Sequence, residues 1–391
     1  MTDISDAFPP PWLRLYALKA NGLPPLVEHI AGAGKFMVTA VSSGEIDLAL
    51  RSGLGPADIV LEGIGKTPVD LALAAEFAAR RTPLAWVSIE TTEDASELAS
   101  AASARSTTID VLIRVNPQVS PETHTGLAVG RAESKFGVTP DELGSVIDAG
   151  GGVRGPLRWR GIHLHVGSQL EAIDAWRTGA RLGLRLLRLQ RARLRNFDTI
   201  NFGGGFPVAY ESGGESVPSP SHFADAVRAE LDGLPADARP KRLVVEPGRA
   251  VVAGSGYLVA RVLHVRQRGP LPIIVLDAGM TELVRPALYN ALHPMTALTS
   301  LGTPVTNTAD GPNLAANLVR IDGPICESTD TFGSASLPPL ERGDLVAIGM
   351  VGAYGSSMFS TYNGRPRPPE IAWTGGKLIA WRRRGSLRTL P

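Results

Sequence analysis

Short apolar, β-branched runs alternate with helix-patterned segments through the first two-thirds of the chain. The apolar runs fall at residues 13–20, 36–42, 58–63, 84–89, 111–116, 161–167, 199–205 and 243–248. Between them, apolar positions recur at helical spacing over 44–50, 68–81, 93–105, 140–149 and 221–231. Thr139-Pro140 ahead of Asp141 and Glu142 is a helix-opening signal, with proline at the first helical position. Eight predicted strands alternating with helices is the arithmetic of a (β/α)8 TIM-type barrel, whose strands are buried on both faces and read as near-continuous apolar runs. An open doubly wound sheet accommodates the same count.

After Arg249 the grammar changes. Predicted strands follow one another at 257–266, 273–276, 317–321, 344–348, 370–373 and 377–382, with few helical patterns between them. The expected division is a barrel over 1–248 and a mostly antiparallel β domain over 249–391, both of ordinary domain size. The insert at 211–220, ESGGESVPSP, reads as a surface loop. Over 177–195, arginines step by three or four opposite leucines. That stripe suits an anionic partner, but a solvated barrel-helix face explains it better in a chain of near-zero net charge.

Composition narrows the class. The 391 residues carry 39 Lys+Arg against 38 Asp+Glu, a formal charge of +1. Such a balance argues against a nucleic-acid binder, which needs a clustered basic excess. One cysteine excludes an internal disulfide and a multi-cysteine metal site. There is no apolar run of about 18 residues and no charged-then-apolar leader, so the expectation is a cytoplasmic protein with no membrane span.

Reactive groups in a parallel barrel collect where strands end, because those loops share one mouth. The first predicted strand ends in Lys19. The sixth carries His163-Leu164-His165-Val166-Gly167-Ser168, the seventh runs into Gly203-Gly204-Gly205, and the eighth ends in Glu246-Pro247-Gly248-Arg249. Each has a plain structural reading. A lysine after a strand is usually solvated, and His163 and His165, two apart, share a strand face without a third metal ligand of suitable spacing. A triple glycine is commonly a tight turn, and Glu246 could pair with Arg249. Taken together, the four ends match what pyridoxal 5'-phosphate needs. Lysine holds its aldehyde as a Schiff base, a carboxylate keeps the pyridine nitrogen protonated, a flat group stacks on the ring, and backbone N–H groups meet the phosphate.

These residues carry a resemblance. Tyr16-Ala17-Leu18-Lys19-Ala20-Asn21, the His163–Gln169 run, Gly203–Pro207, Glu246–Arg249, Cys326-Glu327-Ser328-Thr329-Asp330 and the stretch from Gly352-Ala353-Tyr354 to Tyr362-Asn363 resemble the fold-type III pyridoxal-phosphate decarboxylases, the alanine-racemase-like barrel enzymes. The match runs in order from residue 14 to about residue 372. It implies a homodimer with shared active sites. It also implies Lys19 as the Schiff-base lysine, His165 as the stacking imidazole and Glu246 as the pyridinium partner. Ser168, Gly204, Gly205, Gly248, Arg249, Tyr354 and Tyr362 would bind the cofactor. Cys326, otherwise readable as a small core hydrophobe, would come from the neighbouring subunit and protonate the α-carbon.

The segment from Asp277-Ala278-Gly279-Met280 to Arg285-Pro286-Ala287-Leu288-Tyr289 is similar to the diaminopimelate branch of that family. There Arg249, Arg285, Tyr289, Glu327 and Tyr362 would contact substrate. A guanidinium suits the distal carboxylate as a bidentate fork and Glu327 suits the distal ammonium. The resemblance therefore implies decarboxylation of meso-diaminopimelate to L-lysine. The alternatives are decarboxylation of another diamino or carrier-bound amino acid, and a non-catalytic pyridoxal-phosphate-binding homologue; a racemase would need a second base that no tyrosine motif supplies. Two departures stand out. Only a dozen residues precede the Lys19 strand, implying an upstream segment or a differently built β domain. Thr39 replaces the aspartate the family usually places near the lysine, removing a charge partner for Lys19.

Overall fold

The computed structural model describes residues 1–119, 128–210, 217–305 and 318–386. Its contacts divide the chain into two compact units: Met1–Val208 with Ser216–Val251, and Ala209–Glu215 with Val252–Pro391. The predicted insert falls largely outside the described residues, as does the first residue of the predicted strand at 317–321. No helix among the described residues is long and apolar enough to cross a membrane.

The first unit is a closed parallel barrel. Its strands are β1 (Leu13–Ala17), β2 (Met37–Ala40), β3 (Ile59–Leu61), β4 (Trp86–Ile89), β5 (Ile109–Val115), β6 (Leu157–Leu164), β7 (Thr199–Asn201) and β8 (Arg242–Val245). Leu13 paired with Val244 closes the ring. All eight predicted strands are present, and the closed barrel excludes the doubly wound alternative. A helix follows each strand: α2 (Pro24–Gly34), α3 (Ser43–Arg51), α4 (Pro68–Ala79), α5 (Thr92–Ser103), α6 (Leu143–Ala149), α7 (Asp174–Gln190), α8 (Pro220–Asp232) and the short α9 (Arg249–Val252), with α1 (Thr2–Ala7) ahead of β1. Local chemistry fixes the helix starts. Thr67 and Asp70 form a reciprocal capping box with Pro68 at the first helical position, and Ser219, His222 and Pro220 repeat the device.

The barrel interior is layered with the period of a strand. Leu15, Val60, Trp86, Leu112 and Val244 pack as an apolar floor. Two residues further along their strands come Ala17, Glu62, Ser88, Arg114 and Glu246, so the same inward face becomes polar toward the C-terminal ends. Outside β6 and β7, Trp176 is 1% exposed and packs against Phe202, Phe206 and Phe223, with ring centroids 5.4–6.1 Å apart. Trp176→Ala is expected to lower unfolding free energy by about 3–5 kcal/mol through loss of this packing, as read by urea denaturation.

The arginine-rich helix is α7, shorter than its predicted span. Arg181, Arg185 and Arg188 are exposed opposite buried Leu184, Leu186 and Leu187. Arg181 pairs with Glu230 at 2.8 Å, as expected of a solvated face. Arg191 differs. It donates to the carbonyls of Phe197, Asp237, Ala238 and Arg239, tying the end of α7 to the approach to β8.

The second unit holds β9 (Leu258–Arg268), β10 (Leu271–Leu276), α10 (Arg285–Tyr289), β11 (Met295–Leu298), β12 (Leu318–Asp322), β13 (Thr331–Ser336), β14 (Leu345–Ile348), β15 (Glu370–Thr374) and β16 (Lys377–Arg382). A six-stranded sheet has the order β11-β14-β9-β10-β12-β13, and β15 and β16 form a separate hairpin. Only β10 and β12 pair in parallel within that sheet, so the mostly antiparallel expectation holds. Its core includes Ala260, Val262, Ile274, Leu276, Val346 and Ile348, the buried alternate residues of β9, β10 and β14.

Candidate active site

Three barrel residues sit slightly beyond where the apolar runs imply. Strand β1 ends at Ala17, and Lys19 lies in the following 3₁₀ turn, Leu18–Ala20, with its side chain exposed. His165 is one residue past β6 and Glu246 one past β8. In each case the apolar run outlasts the ladder of parallel hydrogen bonds. The displaced residues therefore stand on the loops at the C-terminal ends of the strands.

The loops after β6, β7 and β8 lock together. The Gly204 N–H donates to His165 Nδ1 at 3.2 Å, which makes that nitrogen the unprotonated one and fixes the ring. Desolvation, then the positive charges of Lys19 and Arg114, hold the His165 pKa well below the usual imidazole value, so the ring is neutral at physiological pH. The Gly203 N–H donates to Asn201 Oδ1 at 2.9 Å. Two of the three consecutive glycine N–H groups are thus already engaged within the protein, and a cradle made from all three in a row is not formed. A Cβ at Gly204 would lie 2.2 Å from the Glu246 carbonyl oxygen, and Gly205 holds φ +108°. Both positions require glycine.

Glu246 does not pair with Arg249. Its carboxylate accepts from Asn201 Nδ2 and faces His163 Nε2 at 3.6 Å. Burial alone would raise its pKa, but His163, Glu62 and Asn201 outweigh that and hold it below the ordinary carboxylate range. Arg249 instead donates to Ser168 Oγ at 3.1 Å, bringing two predicted site residues together. Gly248 packs against Ala17 and Ala20, where a Cβ would come within 3.2 Å of Ala17 Cβ. Thr39 is buried and pairs in register with Ala17, its hydroxyl without a hydrogen-bond partner among the described residues. Lys19 still has a carboxylate within electrostatic reach. Glu45, anchored by the Val41 N–H at 2.8 Å, feels the lysine's charge, although burial leaves its pKa raised.

In the second unit, two loops meet at an exposed cluster. Tyr362 donates its hydroxyl to Glu327 at 2.6 Å, and Asn363 Nδ2 donates to Cys326 Sγ at 3.4 Å. Glu327 raises the Tyr362 pKa, keeping the phenol protonated where the carboxylate is charged. Asp330, part of the same motif, is structural. Its carboxylate accepts the N–H groups of Met280 and Ile325, both at 2.6 Å, and so shapes the turn that presents Cys326. Arg285 opens α10, 3% exposed, with Tyr289 at its other end. Its guanidinium lies 4.8 Å from the Tyr210 ring centre and 2.9 Å from His293 Nε2. His293 Nδ1 donates to the Gly349 carbonyl at 2.9 Å, so Nε2 is the nitrogen left to accept from the arginine. Tyr354 holds φ +59°, a conformation bulky residues rarely adopt.

A family model described as the pyridoxal binding domain of pyridoxal-dependent decarboxylases matches residues 1–253. The chain belongs to the pyridoxal-dependent decarboxylases. Within that family, it is 30% identical over 379 residues to the diaminopimelate decarboxylase of Zymomonas mobilis, covering 97% of this chain and 84% of the relative. It is 34% identical over 380 residues to that of Deinococcus radiodurans, covering 94% and 86%. The solved structure of Helicobacter pylori diaminopimelate decarboxylase complexed with L-lysine superposes with a TM-score of 0.87 at 30% identity, covering 99% of this chain and 91% of that one.

Several residues in the clusters of this decarboxylase escaped the reading of its sequence. Glu62, Ser88, Asn201, Arg114 and Glu90 surround His163 and Glu246, and His293 and Tyr210 hold Arg285. For Glu62 a signal exists, since it stands two residues after inward-facing Val60, one residue past the end of β3, and continues that face with a polar group. His293 and Tyr210 had no such signal, because long-range packing alone brings them to Arg285.

Proposed function

We propose that this chain is a pyridoxal 5'-phosphate-dependent α-decarboxylase that converts meso-diaminopimelate to L-lysine and carbon dioxide. The observation that carries the reading is similarity to diaminopimelate decarboxylases over nearly the full chain. The residues present suit the cofactor. Glu246 is an ionised buried carboxylate, His165 a neutral flat ring, and Gly204 and Gly205 bring the loop after β7 close against the backbone of Glu246 and Gly167.

In this reading Lys19 would hold the cofactor through its Nζ amine. Glu246 would keep the ring nitrogen protonated, and His165 would offer its flat face to the ring. Ser168, Gly205, Gly248, Arg249 and Tyr354 receive the phosphate. Bound pyridoxal phosphate supplies the electron sink that accepts the pair left when the α-carboxylate departs. Arg285 holds the distal carboxylate as a two-point fork, with Arg249 and Tyr289 beside the substrate. Glu327, oriented by Tyr362, takes the distal ammonium. Cys326 Sγ delivers a proton to the α-carbon. In a homodimer, that thiol serves the site of the second copy.

The discriminating test is a substrate panel with the cofactor-loaded protein: meso-diaminopimelate, L-lysine, L-ornithine and L-arginine. Carbon dioxide release confined to meso-diaminopimelate is expected. Equal turnover of L-ornithine would redirect the assignment to a diamino acid lacking a distal carboxylate.

A further inference from the structure

Inside the barrel lies a cluster of which the mechanism above uses only Glu246. Glu62, His163 and Glu246 are all buried, with their polar atoms within 4.8 Å of one another. The imidazole lies between the carboxyl groups. His163 Nδ1 is 3.6 Å from Glu62 and 2.8 Å from Ser88 Oγ, while Nε2 is 3.6 Å from Glu246. Nε2 has no hydrogen-bond partner among the described residues. Asn201 Nδ2 spans both acids, reaching Glu62 at 3.5 Å as well as Glu246. The two carboxyl groups thus share one donor and lie within 4.8 Å of each other. Two like charges this close in a dry interior cannot both persist, so one carboxyl group holds a proton.

We propose that Glu62 and His163 are positioning residues for Glu246: Glu62 remains a neutral carboxylic acid that donates to Glu246, and His163 faces the same carboxylate, so that Glu246 carries the negative charge of the pair. This rests on Glu246 as the partner of the cofactor's ring nitrogen. The direction of titration agrees. Burial and the Glu246 charge push Glu62 well above the ordinary range, and Arg114 only partly offsets them. The other charged groups bearing on the cluster are already committed. Arg114 is paired with Glu90 at 2.9 Å and Lys66 with Asp94 at 2.9 Å. A single cation is a poorer occupant, because the two carboxyl groups face different nitrogens of one ring, and an imidazole offers a cation one lone pair.

The sign of the pH dependence follows. Glu62 is ionised in the unfolded chain above its ordinary pKa of 4.5 but protonated when folded. Folding then takes up a proton, and stability falls as pH rises from that value toward the raised folded one. Glu62→Gln keeps a donor and cannot titrate. Glu246, with its lowered pKa, contributes the opposite slope only below 4.5. The experiment is thermal unfolding of the protein without cofactor, wild type and Glu62→Gln, from about pH 5 to about pH 8. The melting-temperature advantage of Glu62→Gln should widen steadily with pH. A constant difference, or one that narrows, overturns the proposal. So does stabilisation by Zn²⁺ or Mn²⁺ that Glu62→Gln abolishes, since it would make the cluster a cation site.

A second readout is the dissociation constant for pyridoxal phosphate. Glu62→Gln should stay within about threefold of wild type, whereas Glu62→Leu, which lacks the donor, should bind at least about tenfold more weakly. Equal affinity in all three proteins overturns the positioning role. Failure of the wild type to bind the cofactor at all would refute the functional reading, and the unfolding experiment would still decide the protonation of Glu62.

Discussion

Lys19→Ala should bind pyridoxal phosphate without the visible-edge absorbance of the lysine-linked cofactor and should lose decarboxylation by on the order of 10⁴–10⁶-fold, as expected when a covalent group is removed from a cooperating set. The structure makes this a clean experiment. Lys19 is exposed on a short turn after β1, so its removal leaves no buried cavity. The neighbouring positions that shape the site, Ala17 and Ala20 against Gly248, are untouched. A melting temperature equal to that of wild type should therefore accompany the loss. An unchanged absorbance spectrum would exclude Lys19 as the anchor.

Arg285→Ala has the second largest expected effect, and it is selective. Truncating one partner of a buried, hydrogen-bonded charge pair costs about 2–5 kcal/mol. With tenfold per 1.4 kcal/mol, kcat/KM for meso-diaminopimelate should fall by roughly 30-fold to more than 10³-fold, mostly through KM. Residual turnover of substrates without a distal carboxylate should not change. The guanidinium is held by His293 on one side and Tyr210 on the other, so its direction is set before substrate arrives. Equal losses on all substrates would instead mark Arg285 as a structural residue.

The barrel was legible because its strands are near-continuous apolar runs punctuated by glycine and polar breaks. The run at 199–205 overshot because Phe202 extends the apolar pattern past the ladder, which stops before Gly203 at φ +73°. Strand β13 went unseen for the opposite reason. Its sequence TFGSAS buries only Phe332, leaving no alternation to detect. Helix α2 was hidden by the two prolines at its start and the glycines at its end. The site divided along similar lines. Glu246, His165 and Lys19 announce themselves at strand ends, and a thiol beside Glu327 is visible in a chain with one cysteine. Glu62 follows a three-residue strand with no motif around it, and its environment depends on His163, Asn201 and Glu246 from three other strands or their ends. Linear pattern reports which face a residue lies on, but not which other faces converge there.

Stoichiometric product analysis is the most direct test. Purified protein supplied with pyridoxal phosphate and meso-diaminopimelate should release carbon dioxide and L-lysine in equal amounts, at a rate abolished in Lys19→Ala. Release no faster than in Lys19→Ala, or carbon dioxide without matching L-lysine, would contradict the assignment.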